Sequence, residues 1–244
     1  MKQYEAVAKA MKQNGGYATL KHLYQKAINI QGSTWKAKDP YANIRRIVQT
    51  KPLFFKIKPG LWGLTSDRDT ILKRLNIDES ASKVQKNNFE HNYYQGLVIE
   101  IGNLMGFKTY VPSQDKNKPF LNKKLSDLIT IQNFYNFTYD ELIQRAKYID
   151  ATWFNERLFP FAFFEIEHTT NIENALIKFM EFQDFRTKFF IVADSARKKL
   201  FKTKISSRRF LSIEKEVKFI NYDTLSKWHE AEARSSALRK NLNF

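Results

Sequence analysis

Apolar and polar positions alternate along this chain with two different periods. Tyr4, Val7, Ala8 and Met11 recur at helical spacing, and Asn14-Gly15-Gly16 ends that pattern. Thr19 is placed to cap a second helix with Leu20, Leu23, Tyr24 and Ala27 on one face. Asp39-Pro40 reads as the cap and first residue of a third, whose Ile44, Ile47 and Val48 face inward. Phe55 and Ile57 then alternate with Lys56 and Lys58, Lys58-Pro59-Gly60 turns, and Leu61-Trp62-Gly63-Leu64 returns. Residues 67–88 are polar, with a short helix implied by Ile71, Leu72 and Leu75, and read as a linker.

Beyond it the pattern predicts a helix over Phe89–Gly106 and a strand over Phe107–Val111. A strand-like run, Leu125–Ile131, follows a lysine-rich loop, and then a helix over Phe137–Lys147 entered through a Thr138/Glu141 capping box. Two β-prone runs flank the polar turn Asn155-Glu156-Arg157. The second, Phe161–Ile166, is continuously apolar and so expected to be buried on both faces. A helix over Asn171–Phe185, strands at Phe189–Ala193 and Val217–Ile220, and a polar helical tail over 226–244 complete the chain. These elements imply a mixed α/β (α+β) fold. A small domain of three helices and a hairpin occupies 1–66, and a larger one with a central mixed sheet flanked by helices occupies 89–225.

Asp150 in the first run of the long hairpin, and Glu165 and Glu167 closing the second, conflict with the burial around them. A buried carboxylate needs a cation or hydrogen-bond donors. Glu165 and Glu167 are two apart, so on a strand they share a face, and pairing the strands brings Asp150 beside them. Three acids in one place repel, and a divalent cation relieves the conflict. Oxygen donors suit Mg²⁺. The competing reading is a hairpin end with solvated acids.

Charge and composition narrow the partner. The 244 residues carry a formal charge of +16, which favours a polyanion, with nucleic acid ahead of an anionic membrane surface. Residues 1–65 hold ten Lys and two Arg against Glu5 and Asp39, a net of +10. Without cysteine there is no disulfide, thiolate metal site or Cys nucleophile, which fits a reducing cytoplasm. No apolar run approaches membrane-spanning length. His22, His91, His168 and His229 lack metal-ligand spacing, and no glycine-rich phosphate loop is present.

The order of elements around Asp150 and Glu165-Ile166-Glu167 resembles the PD-(D/E)XK nuclease superfamily, over roughly Phe89–Leu225. Asp150 matches its Asp and Glu165 its second acid, while Glu167 stands where Lys is usual. The resemblance implies an endodeoxyribonuclease, most readily a type II restriction enzyme. Its Mg²⁺ would be held by Asp150, Glu165 and the Ile166 main-chain carbonyl, and its products would end in 5′-phosphate and 3′-hydroxyl. Glu167 would accept a proton or bind a second metal. An acid on the preceding helix can support such a site: Glu90 is the candidate and Glu100 its rival. Asp127 competes with Asp150. Lys178 on the following helix is expected to face solvent, the alternative being a cation lent to the site.

The closing Pro59-Gly60-Leu61-Trp62-Gly63-Leu64 and the Ile44-Arg45-Arg46 helix resemble the HARE-type winged helix-turn-helix. That resemblance implies duplex DNA contacts by Arg45, Arg46, Gln49, Lys56 and Lys58. Arg208 and Arg209, in a basic run free of acids, and His168 beside Glu167 are further candidates for DNA contact. Duplex cleavage makes a homodimer a possible assembly. The absent Lys leaves another class of function open, a catalytically inactive DNA-binding regulator. A subunit of a larger defence or repair nuclease is a third.

Overall fold

The computed structural model describes residues 1–35, 38–168 and 171–241. Thr169 and Thr170, after the second strand of the long hairpin, and residues 242–244 of the expected tail lie outside the described residues. The chain divides into two compact units, residues 1–86 with 226–244, and residues 87–225.

In the first unit, α1 (Gln3–Gln13) buries Ala6, Val7, Ala10 and Met11. It stops where Gly15 and Gly16 take φ of 89° and 92°, a conformation open to residues without a Cβ. Strand β1 (Tyr17–Thr19) leads into α2 (Leu20–Lys26), whose His22 amide donates to the Thr19 hydroxyl. Asp39 Oδ1 accepts from the Tyr41 and Ala42 amides at the start of α3 (Pro40–Thr50). Strands β2 (Phe54–Lys58) and β3 (Leu61–Leu64) join β1 in an antiparallel sheet ordered β1-β3-β2. Helix α4 (Arg68–Arg74) follows, within the stretch read as linker.

The second unit begins within α5 (Lys83–Leu104). This helix starts earlier than the apolar stripe suggests. Ser82 Oγ accepts from the Gln85 amide at 3.2 Å and Gln85 Oε1 accepts from the Ser82 amide at 2.8 Å, a capping box that the polar composition concealed. Next come β4 (Lys108–Tyr110), the short pair β5 (Pro119–Phe120) and β6 (Lys123–Lys124), and α6 (Asp140–Ala146). Two expectations fail here. Leu125–Ile131 is not a strand: Leu125–Asp127 is a 3₁₀ turn, closed when Asp127 Oδ2 accepts from the Lys124 amide at 2.8 Å. Helix α6 is not entered at Thr138 and has no side-chain cap. It starts two residues later, so Glu141 falls at its second position and pairs with Arg145, one turn on, at 2.7 Å.

Strands β7 (Ala151–Phe154) and β8 (Pro160–Glu167) form the long hairpin. Asn155 Oδ1 closes its turn by accepting from the Arg157 and Phe159 amides. Then come α7 (Ile172–Met180), β9 (Lys188–Ala193), α8 (Lys198–Ile205), β10 (Val217–Asn221) and α9 (Tyr222–Asn241). The sheet order is β10-β9-β8-β7-β4. β10, β9 and β8 run parallel; β7 is antiparallel to β8, and β4 to β7.

One face of this sheet presents Phe163, Phe189 and Ile191 to a core shared with Ile172, Phe179 and Phe182. Helix α5, buried from Asn92 to Gly102, comes so close to its neighbours that a Cβ on Gly96 would lie 2.1 Å from the Phe120 ring. The core is thus apolar on both sides of β8, and Glu165 lies in it with only 2% of its surface exposed.

The tail is not an unattached appendage. In the first unit Tyr24 Oη donates to Glu230 of α9 at 3.0 Å, Arg45 Nε lies 3.4 Å from the same carboxylate, and Arg234 pairs with Asp39. A polar helix with no apolar stripe is held by ion pairs and by burial of His229 and Ala233.

Candidate active site

Asp150 ends the approach to β7, and the β7–β8 register, Ala151 opposite Phe164, places it across from Glu165 when extended by one residue. Residues opposite one another in an antiparallel pair project to the same face. The Ile166 amide donates to Asp150 Oδ2 at 2.7 Å, tying the two strands together at this point. Glu167 projects to the same face two residues beyond Glu165. The three acids of the hairpin therefore meet at the end of β8, next to the parallel strand β9.

The cation among them comes from a different element. Lys178, on α7, places Nζ 2.9 and 2.7 Å from the two Glu165 carboxylate oxygens and 3.4 Å from the Tyr148 carbonyl. It does not face solvent as its helix position suggests. The stem of α7 packs over the sheet, and from its rim a four-carbon side chain reaches inward to the nearest buried charge. Its own side chain stays 39% exposed.

Burial, then the Asp150 charge, push the Glu165 carboxyl far above the usual carboxylate range, with Lys178 opposing them. The same two causes raise Glu167 to about 7, against the pull of Lys178 and Arg197. Burial pulls Lys178 down, but Glu165, Asp150 and Glu167 outweigh it and hold the ammonium charged above its ordinary range. Among the described residues, the Lys178 ammonium and the charge of Arg197 thus face three carboxyls. The cluster is short of positive charge, and its donors are carboxylate oxygens, which a hard divalent cation accepts.

Two neighbours on the other side of Asp150 were not legible in the sequence. His91 Nε2, from α5, lies 3.9 Å from Asp150 Oδ1. Asp115, buried in the 3₁₀ turn Ser113–Asp115, accepts from Gln95 Nε2 at 2.9 Å and pairs with Lys118 at 2.5 Å. Gln95 Nε2 also donates to the Asp150 carbonyl at 2.6 Å. Burial lowers His91 below the ordinary imidazole range, and Asp150 pulls it back. Neither residue has a metal-ligand motif around it, because His91 and Asp115 sit on separate elements that only the fold brings together.

Glu90 is placed beside His168, the residue directly after Glu167. Its carboxylate lies 3.6 Å from His168 Nδ1, while the next residue, His91, is the one near Asp150. Both residues approach the end of β8: the His91 ring lies 5.7 Å from that of His168. Glu100 is buried further along α5, where its charge bears on Tyr93. Asp127 is held in its own turn.

His168 is turned inward rather than presented to a polyanion. Its side chain is 8% exposed, Nδ1 meets Tyr222 Oη at 2.8 Å, and its carbonyl accepts from Arg197. Arg208 and Arg209 are exposed, though Arg209 is drawn to Glu173 at 3.2 Å. Arg46, Gln49 and Lys56 are exposed on the first unit and Lys58 is half-buried there; Arg45 leans to Glu230.

Fold and site together define a mixed-sheet α/β protein whose hairpin gathers three carboxyls and a lysine at one end of the sheet. The family model described as the type II restriction enzyme NmeDI C-terminal domain matches residues 73–240, well over half of the chain, and the chain belongs to that family. It is similar to the type II restriction enzyme NmeDI of Neisseria meningitidis serogroup C, with 32% identity over 124 residues, 46% of this chain and 35% of that protein. The chain thus spans about a third of the relative's length in the matched region. No solved structure matches. Among the described residues, no helix is long and apolar enough to cross a membrane.

Proposed function

We propose that this chain is a Mg²⁺-dependent endodeoxyribonuclease, a type II restriction enzyme of the PD-(D/E)XK kind, that cuts duplex DNA at a specific site. The observation that carries the reading is the meeting of Asp150, Glu165 and Glu167 with Lys178 at the end of β8. Kinship with a restriction enzyme supports it. Asp150, Glu165 and the Ile166 carbonyl would hold Mg²⁺. An extended residue sends its N–H and C=O toward the same neighbouring strand, so that carbonyl faces the side on which the Ile166 amide meets Asp150. When bound, the cation would offset charge that develops on the phosphodiester.

The chain's own groups account for the rest. Lys178 takes the place of the Lys missing from the strand motif: a charged ammonium beside Glu165 is suited to orient the attacking water and stabilise the growing negative charge. Glu167, titrating near neutrality, is suited to accept the proton that water releases. Water attacks phosphorus as its proton passes to Glu167, the bond to the 3′ oxygen breaks, and that oxygen takes a proton from solvent, leaving 5′-phosphate and 3′-hydroxyl ends.

The first unit has the element order of a winged helix, α1-β1-α2-α3-β2-β3, which supports a DNA-binding role of the HARE type. Arg46, Gln49 and Lys56 are its accessible contacts, with Lys58 beside them in the β2–β3 wing and Arg208 and Arg209 contributing from the second unit. Cleaving both strands from one site per chain favours action as a homodimer.

Plasmid digestion in Mg²⁺ tests the reading. Wild-type protein should give discrete fragments, and Asp150→Ala or Glu165→Ala should abolish cleavage while leaving DNA binding measurable. Cleavage at the wild-type rate by both variants would refute the site. Binding without any product from wild-type protein would make the chain a DNA-binding regulator or a subunit awaiting its partner.

A further inference from the structure

Asp150 has a second set of partners that the nuclease reading leaves unused. One ligand atom each from His91, Asp115 and Asp150 lie within 4.8 Å of one another. Gln95, one turn along α5 from His91, is fully buried and aimed into the same place: its Nε2 donates to Asp115 Oδ2 and to the Asp150 carbonyl. Those two acceptors fix which end of the amide carries hydrogen. Its other end, Oε1, is buried without a hydrogen-bond partner among the described residues. A buried acceptor with no donor is uncommon and calls for an explanation such as an ion.

The cation now at this place is Lys118, 2.5 Å from Asp115 Oδ1. Its side chain is 41% exposed, so it can withdraw into solvent without breaking the core. The remaining donors are one imidazole nitrogen and two carboxylates. That set differs in kind from the oxygen-only donors of Asp150 and Glu165. Imidazole favours first-row transition ions over Mg²⁺, which takes oxygen ligands and keeps its water.

We propose that His91, Asp115 and Asp150 form a second divalent-cation site, selective for ions of the Co²⁺ and Zn²⁺ class over Mg²⁺, with Lys118 as a built-in competitor for it. The proposal deepens the nuclease reading, since Asp150 would serve both sites, but its test does not depend on cleavage.

Titration of the full-length, metal-stripped protein with Co²⁺, followed by visible absorption and calorimetry, reads the site directly. Wild-type protein should bind one Co²⁺ that excess Mg²⁺ does not displace. His91→Gln and Asp115→Asn should each weaken it tenfold or more. Lys118→Ala should tighten it several-fold, and this exposed residue can be replaced without opening the core. Equal Co²⁺ affinity in wild type and His91→Gln, displacement by equimolar Mg²⁺, or weaker binding in Lys118→Ala would each overturn the proposal. Mg²⁺-dependent DNA cleavage alongside any of those results would leave the nuclease reading standing. Co²⁺ bound through His91 without DNA cleavage would do the reverse.

Discussion

Replacing Lys178 with Met tests the electrostatics of the site without reference to DNA. The substitution keeps most of the apolar stem and removes the one ammonium seen to pair with Glu165. Breaking a fully buried ion pair costs about 3–5 kcal/mol, whereas an exposed pair contributes about 0–1 kcal/mol. Here the Glu165 side chain is 3% exposed and the Lys178 side chain 39%, so the pair lies between those limits. Discounting for the exposed end gives about 2–3 kcal/mol lost at pH 8 in metal-free buffer.

Glu165→Gln should behave differently. It removes the repulsion with Asp150, and Lys178 can turn to water, so its stability should stay within about 1 kcal/mol of wild type. The double variant should then be more stable than Lys178→Met alone, with a coupling of about 2 kcal/mol. Urea unfolding of the full chain provides the measurement through the shift in midpoint at constant slope. Protonation limits the cost: burial raises the Glu165 pKa, so the Lys178→Met penalty should shrink as pH falls and Glu165 becomes neutral. A Lys178→Met loss below about 0.5 kcal/mol, with no coupling to Glu165, would show that the contact carries no energy and would remove the argument that this lysine serves the site.

Other measurements address the remaining parts. Glu167 has its carboxyl raised from 4.5 to about 7, so the metal-free native state binds more protons than the unfolded chain between those values. Its contribution to stability should therefore fall as pH rises through that window, by at most about 1.4 kcal/mol per pH unit for one proton, and Glu167→Gln should flatten the profile. DNA cleavage should rise through the same pH range and lose that dependence in the variant. Gly96→Ala places a Cβ against the Phe120 ring and should cost about 1–3 kcal/mol in the unfolding experiment, with Phe120→Leu relieving part of it. Arg46→Ala should lower the slope of log affinity for DNA against log salt by about one. Arg45→Ala should change that slope less and lower the melting temperature instead, because Arg45 is held by Glu230.

Much of the local architecture can be read from residue order because its causes are local. Thr19 and Asp39 cap their helices through bonds to amides within three residues. The turn at Asn155 closes on its own backbone, and Glu165 and Glu167 share a face by the geometry of any strand. The short-range competition can also mislead. Asp127 looked like a strand acid but caps a 3₁₀ turn, and Ser82 with Gln85 starts a helix where composition suggested a linker.

By itself, the sequence determined that acids would be trapped beside an apolar strand, and that most of the excess positive charge would lie in the first 65 residues. Both follow from periodicity and composition, which are properties of neighbours along the chain. Tertiary structure alone decided which groups answer those acids. Lys178 is 13 residues beyond Glu165, and His91 and Asp115 reach Asp150 from 59 and 35 residues away. It also drew Arg45 to Glu230 and turned His168 toward Tyr222. Coulomb and hydrogen-bond energies depend on separation in space, and no spacing along the chain encodes that distance until helices pack on the sheet.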